Sequence, residues 1–267
     1  MAIHCLPYRA RSIRALLTLL ALLALAFLLL PFLALLTHTS FSSLAQTFNQ
    51  GTGQAIETSV FSTLIAVVVI VSFGTPLGWL LSRRKSVFWR LIEFFLYIPL
   101  LMPPLVIGLL LVYFYGPYGW IGHFLENYQI SATNSFLAIV IAEIYEAMPY
   151  FVFSAIAAFS QVDHRLEQTA MALGLTPFHT FRRVTLPLSF PGLTVGIAMA
   201  FARALGAFGA VIIVAYDPHT LPVQIWIALE EQGLPTALPI ALILMFIALP
   251  LPLLAVFWRI IRGTTTK

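Results

Sequence analysis

Six apolar runs, approximately 15–36, 58–81, 92–115, 134–158, 190–214 and 238–260, fill most of this chain. A bilayer core ~30 Å thick is crossed by about 20 apolar residues wound as a helix. Lipid offers backbone N–H and C=O groups no partners, so a chain crossing it must hydrogen-bond to itself. The runs therefore predict an all-α integral membrane protein of about six spans. Composition agrees, with 60% hydrophobic and 9% charged residues, where soluble domains carry ~25% charged ones. The N-terminus resembles a signal peptide in having Arg9, Arg11 and Arg14 before an apolar stretch. That stretch is longer than the ~7–15-residue core of a cleaved signal, and no small-x-small site closes it, so it reads as a retained first span.

The basic residues set the expected orientation. Of the fourteen Lys and Arg, thirteen lie before span one, between spans two and three (Arg83, Arg84, Lys85, Arg90), between four and five (Arg165, Arg182, Arg183), or after span six (Arg259, Arg262, Lys267). All of these fall on one side of a six-span chain. The opposite loops, about 37–57, 116–133 and 215–237, hold no Lys or Arg. The positive-inside rule then places both termini and the 161–189 loop in the cytoplasm. This placement explains the net charge of +4 better than nucleic-acid binding does. The outer loops carry Glu57, Glu126, Asp217, Glu230 and Glu231, and Tyr118 and Trp120 suit an interfacial belt. A short outer helix is expected from Pro222 to Gly233, either resting on the lipid surface or serving as an outer gate or partner contact.

Several chemistries find no support. A lone cysteine, Cys5, excludes an intrachain disulfide and a Cys-based metal cluster. No HExxH, GxSxG or GxxxxGK[ST] occurs, so neither a metal, a cofactor nor an ATP-binding loop is expected on this chain. The six histidines are scattered, mostly in loops. The reading is of a transport subunit rather than an enzyme.

The longest polar stretch is residues 161–189, QVDHRLEQTAMALGLTPFHTFRRVTLPLS. Asp163 suits an N-cap, a helix-forming run follows from Arg165 to Leu173, and Gly174 suits a left-handed cap. Thr176-Pro177 looks like a second N-cap and N1 pair, opening a short helix expected to end near Leu186-Pro187. An idle connector between antiparallel helices needs only ~2–8 residues, so a helix–glycine–helix unit of this size points to a docking element.

The same stretch resembles the signature of binding-protein-dependent ABC importer permeases, EAA-x3-G-x9-I-x-LP. Gly174 takes the glycine place, Val184 the isoleucine, and Leu186 and Pro187 the LP. Gln168, Thr169 and Ala170 occupy the EAA triplet, so its first two positions depart, while Glu167 sits one residue earlier. The resemblance implies that this loop couples to two cytoplasmic ABC ATPase subunits, that a second permease copy completes the pore, and that an extracytoplasmic substrate-binding protein delivers the substrate. It implies three parts: 1–54 as N-terminal segment, first span and outer loop; 55–261 as the permease domain; 262–267 as a cytoplasmic tail.

Two further stretches narrow the resemblance to the molybdate, tungstate and sulfate branch. FARALGAFGAVIIVAY, 201–216, is similar to a span-five run reading FARALGEFGA, with Ala207 in place of the glutamate; PLLMPPLVIGLLLVYFYGPYGWIG, 99–122, is similar to that branch's proline-rich third span. The implied cargo is an oxyanion, molybdate first, with sulfate, tungstate or another anion as alternatives and a bacterial or archaeal plasma membrane as the location.

Charge inside the spans is the remaining signal. Arg203 stands near the middle of the expected span five, and Glu143 and Glu146 in span four fall within about one helical turn of it in depth. A mid-membrane charge costs ~2.5–3.5 kcal/mol on insertion scales, so a partner or wet cavity is expected. Either a buried Arg–Glu pair fixes spans four and five in register, or Arg203, on a stripe of small residues with Gly206 and Ala207, lines the path. Gly74 and Gly78 of span two could mark a close helix contact. From another class, an ion-coupled secondary transporter would use Glu143 or Glu146 at mid-depth.

Overall fold

In a computed structural model, which describes residues 6–38, 52–84 and 86–264, every regular element is helical. The helices are α1 (Leu6–His38), α2 (Gly53–Arg83), α3 (Val87–Leu101), α4 (Pro104–Tyr115), α5 (Trp120–Glu126), α6 (Phe136–Ser160), α7 (His164–Ala172), α8 (Pro177–Thr180), α9 (Leu186–Leu205), α10 (Val211–Val214), α11 (Leu221–Gln232), α12 (Leu234–Ala248) and α13 (Pro250–Thr264). Among the described residues five helical stretches are long and apolar enough to cross a membrane, and α3 with α4 supplies a sixth if that bent pair is one span. Residues 1–5, 39–51, 85 and 265–267, with Cys5 and Lys85, lie outside the described residues.

Two expected spans are broken. The third is no straight helix over 92–115: α3 and α4 meet at 110°. Pro103 and Pro104 cause this. A residue before proline is pushed out of the helical region, and both Met102 and Pro103 are extended, with ψ 136° and 135°. Pro104 then restarts the helix at its first position, where its missing N–H costs nothing. The fifth span does not run as one helix to residue 214. It ends at Leu205, residues 206–210 are not in a helix, and α10 resumes at Val211. The two breaks nest together. A Cβ on Gly209 would lie 2.6 Å from Pro104 Cβ, and one on Gly108 2.7 Å from Ile213 Cβ. Irregular backbone at membrane depth is tolerated only where protein or a water-lined cavity surrounds it, which is the arrangement found here.

The core sits on α6, which packs between α2 and α9. The close approach has a glycine basis on both sides. A Cβ at Gly74 or Gly78 of α2 would come within 2.6 Å of Phe151 or Ala155 of α6; one at Gly192 or Gly196 of α9 would come within 2.5 Å of Ala158 or 2.7 Å of Ser154. Small residues at such spacing let helices pack where lipid supplies no hydrophobic drive. Phe151, Phe159, Ile70 and Ala200 fill the seam without exposure. By contrast, α1 keeps nearly every described side chain exposed, including Phe27 at 78%. That surface suits lipid, whose tails are as apolar as leucine.

The outer helix forms as expected, at α11, with Pro222 in its first turn and Gly233 at φ +81° ending it. Its first turn packs against α2. Leu221 and Val223 are fully buried, and the Leu221 N–H donates to Ser59 Oγ of α2 at 2.7 Å.

Candidate functional site

The 161–189 loop folds as helix, glycine bend, helix. Asp163 Oδ1 accepts from the Arg165 N–H at 2.9 Å, which opens α7. At its end Gly174 takes φ +95°, Gly174 N–H donates to Met171 O, and Leu175 N–H donates to Ala170 O at 3.1 Å. This pair of bonds is a Schellman cap, which asks for the left-handed conformation that glycine adopts freely. Thr176 Oγ1 accepts from the His179 N–H, and Pro177 follows at the first helical position.

The second short helix does not end near Leu186-Pro187. Instead α8 passes through a π turn, Phe181–Thr185, directly into α9. Proline cannot donate a fourth-neighbour bond and crowds the carbonyl four residues back. The wider turn, in which Leu186 N–H donates to Phe181 O, admits Pro187 without stopping the chain. The second half of the loop and span five are thus one continuous helical piece.

Of the residues expected to act in this loop, Gln168 and Thr169 are exposed and Ala170 is buried. Thr169 Oγ1 donates to Arg165 O within its own helix. Val184 and Leu186 are half-buried, and Pro187 is exposed. Leu173 and Phe178 stand 82% and 67% exposed, with Leu166 and Met171 beside them also exposed.

Glu167 faces the other way, with 5% exposure. Its Oε1 accepts from Arg83 Nη2 at 2.7 Å and from Thr185 Oγ1 at 2.6 Å, and its Oε2 lies 2.8 Å from His164 Nδ1. Burial alone would push this carboxyl up. The hydrogen bonds from Thr185, His164 and Arg83, with the Arg83 charge, outweigh burial and hold it below the ordinary carboxylate range. Arg83 also donates from Nη1 and Nη2 to Val162 O at 3.3 Å. Aromatic contacts run alongside: Phe181 meets Trp79 of α2 edge-on at 5.6 Å and Phe159 of α6 at 6.0 Å.

The charges within the spans separate into two groups. Arg203 lies in the last turn of α9, just before the break, rather than in mid-helix. Its Nη2 is 2.7 Å from Glu146 Oε2, and its guanidinium carbon lies 5.8 Å from the Tyr150 ring centre. The Glu146 side chain has no exposure, whereas Arg203 keeps 28%. Gly206 beside it is exposed and Ala207 is buried. Glu143 does not join them. It turns to α2, where its Oε1 accepts from Ser62 Oγ at 2.8 Å and Thr63 Oγ1 at 3.3 Å. Three residues along a helix is ~60° of rotation, which depth alone does not register.

Arg83, His164 and Thr185 escaped the sequence reading, as did Ser62, Thr63 and Tyr150. A signal existed for one group: Ser59, Ser62 and Thr63 recur at i, i+3 and i+4 within an apolar run. That spacing puts three hydroxyls on one helix face.

Known proteins share this organisation. The model of the binding-protein-dependent transport system inner membrane component family matches residues 74–260, well over half the chain. A probable molybdenum ABC transporter permease protein of Haloferax volcanii is 40% identical, covering 88% of this chain and 86% of that one. A probable sulfate transport system permease protein of Nephroselmis olivacea is 32% identical, covering 86% and 84%. Among solved structures, a chain of a bacterial alginate ABC transporter in complex with its pentasaccharide-bound periplasmic protein matches with a TM-score of 0.72 at 16% identity, over 93% of both chains, which speaks to fold alone. With its multi-pass helical architecture and its matched length, this chain belongs to the binding-protein-dependent transport system inner membrane component family, the permease subunits of ABC importers.

Proposed function

We propose that the chain forms the pore half of an importer for a tetrahedral oxyanion, molybdate first, with the 161–189 loop in the cytoplasm as the seat of an ABC ATPase. Residues 55–261 act as the permease unit, a second copy completes the pore, two ATPase subunits bind beneath, and an extracytoplasmic protein delivers the anion. The observation that carries the docking half is the two-sided loop. Apolar Leu166 and Leu173 are exposed on a unit whose Glu167 is bonded into the spans. A chain has little reason to hold such side chains in water unless a partner covers them.

The anion reading rests on Arg203 at the nested breaks. Discontinuous helices are where transporters place their sites, and the Arg203 side chain stays partly exposed there while its Nη2 pairs with Glu146. Relatives named for molybdenum and for sulfate support an oxyanion as cargo. Glu143 and Glu146 are both engaged within the chain, which favours ATP over an ion gradient as the energy source.

The test is uptake by vesicles holding the permease with its ATPase and binding protein. Labelled molybdate is expected to accumulate only with internal ATP, and tungstate to compete. Accumulation that ignores ATP and collapses with the ion gradient would replace this reading with secondary transport.

A further inference from the structure

We infer that Glu167 is a positioning residue that pins the 161–189 loop to span two, so that spans two, four and five are driven together and not only the two that flank the loop. The inference rests on the proposed docking of an ATPase at that loop.

A loop covalently joined to α6 and α9 transmits motion to them by connectivity. Nothing covalent joins it to α2, whose C-terminal end is 84 residues from Glu167 along the chain. Two side chains of α2 make that link. Arg83, the last residue of α2, donates to Glu167 Oε1 and to Val162 O at the start of the loop. One turn earlier in α2, Trp79 abuts Phe181 in the π turn. Glu167 is the hub, because the same oxygen that takes Arg83 also takes Thr185, the last residue of the π turn. One carboxylate thereby bridges the end of span two, the first coupling helix and the root of span five.

The burial pattern separates this role from docking. At 5% exposure, with both oxygens engaged inside the chain, Glu167 has little surface to offer a partner. Leu166 and Leu173 present that surface instead. Charge-assisted bonds of this length are the strong ones, and close-packed helices transmit displacement rather than absorb it.

The readout is anion imported per ATP hydrolysed, in vesicles whose permease still purifies with its ATPase. Glu167→Gln keeps the shape but turns an amide toward at least one donor. It is expected to lower the ratio about ten-fold. Arg83→Gln is expected to do the same, and the double variant to be no worse than the poorer single one, since both break one link. Thr185→Val removes one donor and no charge. It is expected to lower the ratio less, and it keeps the test open if Glu167→Gln does not assemble. A wild-type ratio in Glu167→Gln, or in Thr185→Val where Glu167→Gln fails to assemble, would overturn the inference, as would losses in the two single variants that multiply. Absence of ATP-driven uptake in wild-type vesicles would instead overturn the underlying permease reading.

Discussion

Arg203 and Glu146 meet at 2.7 Å, yet the two members of the pair live in different surroundings: the Glu146 side chain is fully enclosed and the Arg203 side chain is 28% exposed. A pair built only for register would enclose both. Removing one partner of a buried pair strands the other, at about 3–5 kcal/mol. The open side of Arg203 places this pair nearer the lower end.

Register and passage can therefore be separated by substitution. Arg203→Ala is expected to lower the melting midpoint of the purified permease and to cut anion uptake about ten-fold or more. Adding Glu146→Gln removes the stranded charge, so the midpoint is expected to recover while uptake stays low. Recovery of both would make the pair purely structural.

The glycine seams predict a packing effect with an internal control. Gly78→Leu forces a side chain into space where even a Cβ would meet Ala155 at 2.6 Å. Overpacking of this kind costs about 1–3 kcal/mol, so thermal unfolding in detergent is expected to shift down clearly. Gly53→Ala at the start of the same helix meets nothing within 4 Å and is expected to be neutral or slightly stabilising.

Acid is expected to loosen the loop. An unfolded glutamate titrates near ~4.3, and Glu167 titrates lower than its ordinary value in the fold, among Thr185, His164 and Arg83. Its contribution is therefore fully present above ~4.3 and is lost as pH falls through the folded value. Wild type is expected to melt above Glu167→Gln at pH 7 and pH 5, with the gap closing below about pH 4. A gap that widens toward acid contradicts this.

Much of this is legible in the sequence, for identifiable reasons. Asp163, Gly174 and Thr176-Pro177 are local signals, each acting through its own backbone, and each does what its chemistry asks. Gly74 and Gly78 likewise foretold a close helix contact. The breaks were hidden because hydropathy sums oiliness without sensing direction; Met102-Pro103-Pro104 carried the turn of span three in plain view as a proline restart. Glu143 was misplaced because counting residues yields depth and not azimuth. Arg83, Thr185 and His164 were missed as a group because only tertiary packing gathers them around Glu167.

The central claim is that the exposed face of the 161–189 loop receives another subunit's work. The most direct measurement is co-purification of the ATPase with the permease bearing Leu166→Glu and Leu173→Glu, two exposed side chains of the loop. A hot-spot side chain is worth about 2 kcal/mol or more, so the doubly substituted, still folded permease is expected to lose most of its bound ATPase and its ATP-driven uptake. Full retention of both would contradict the account.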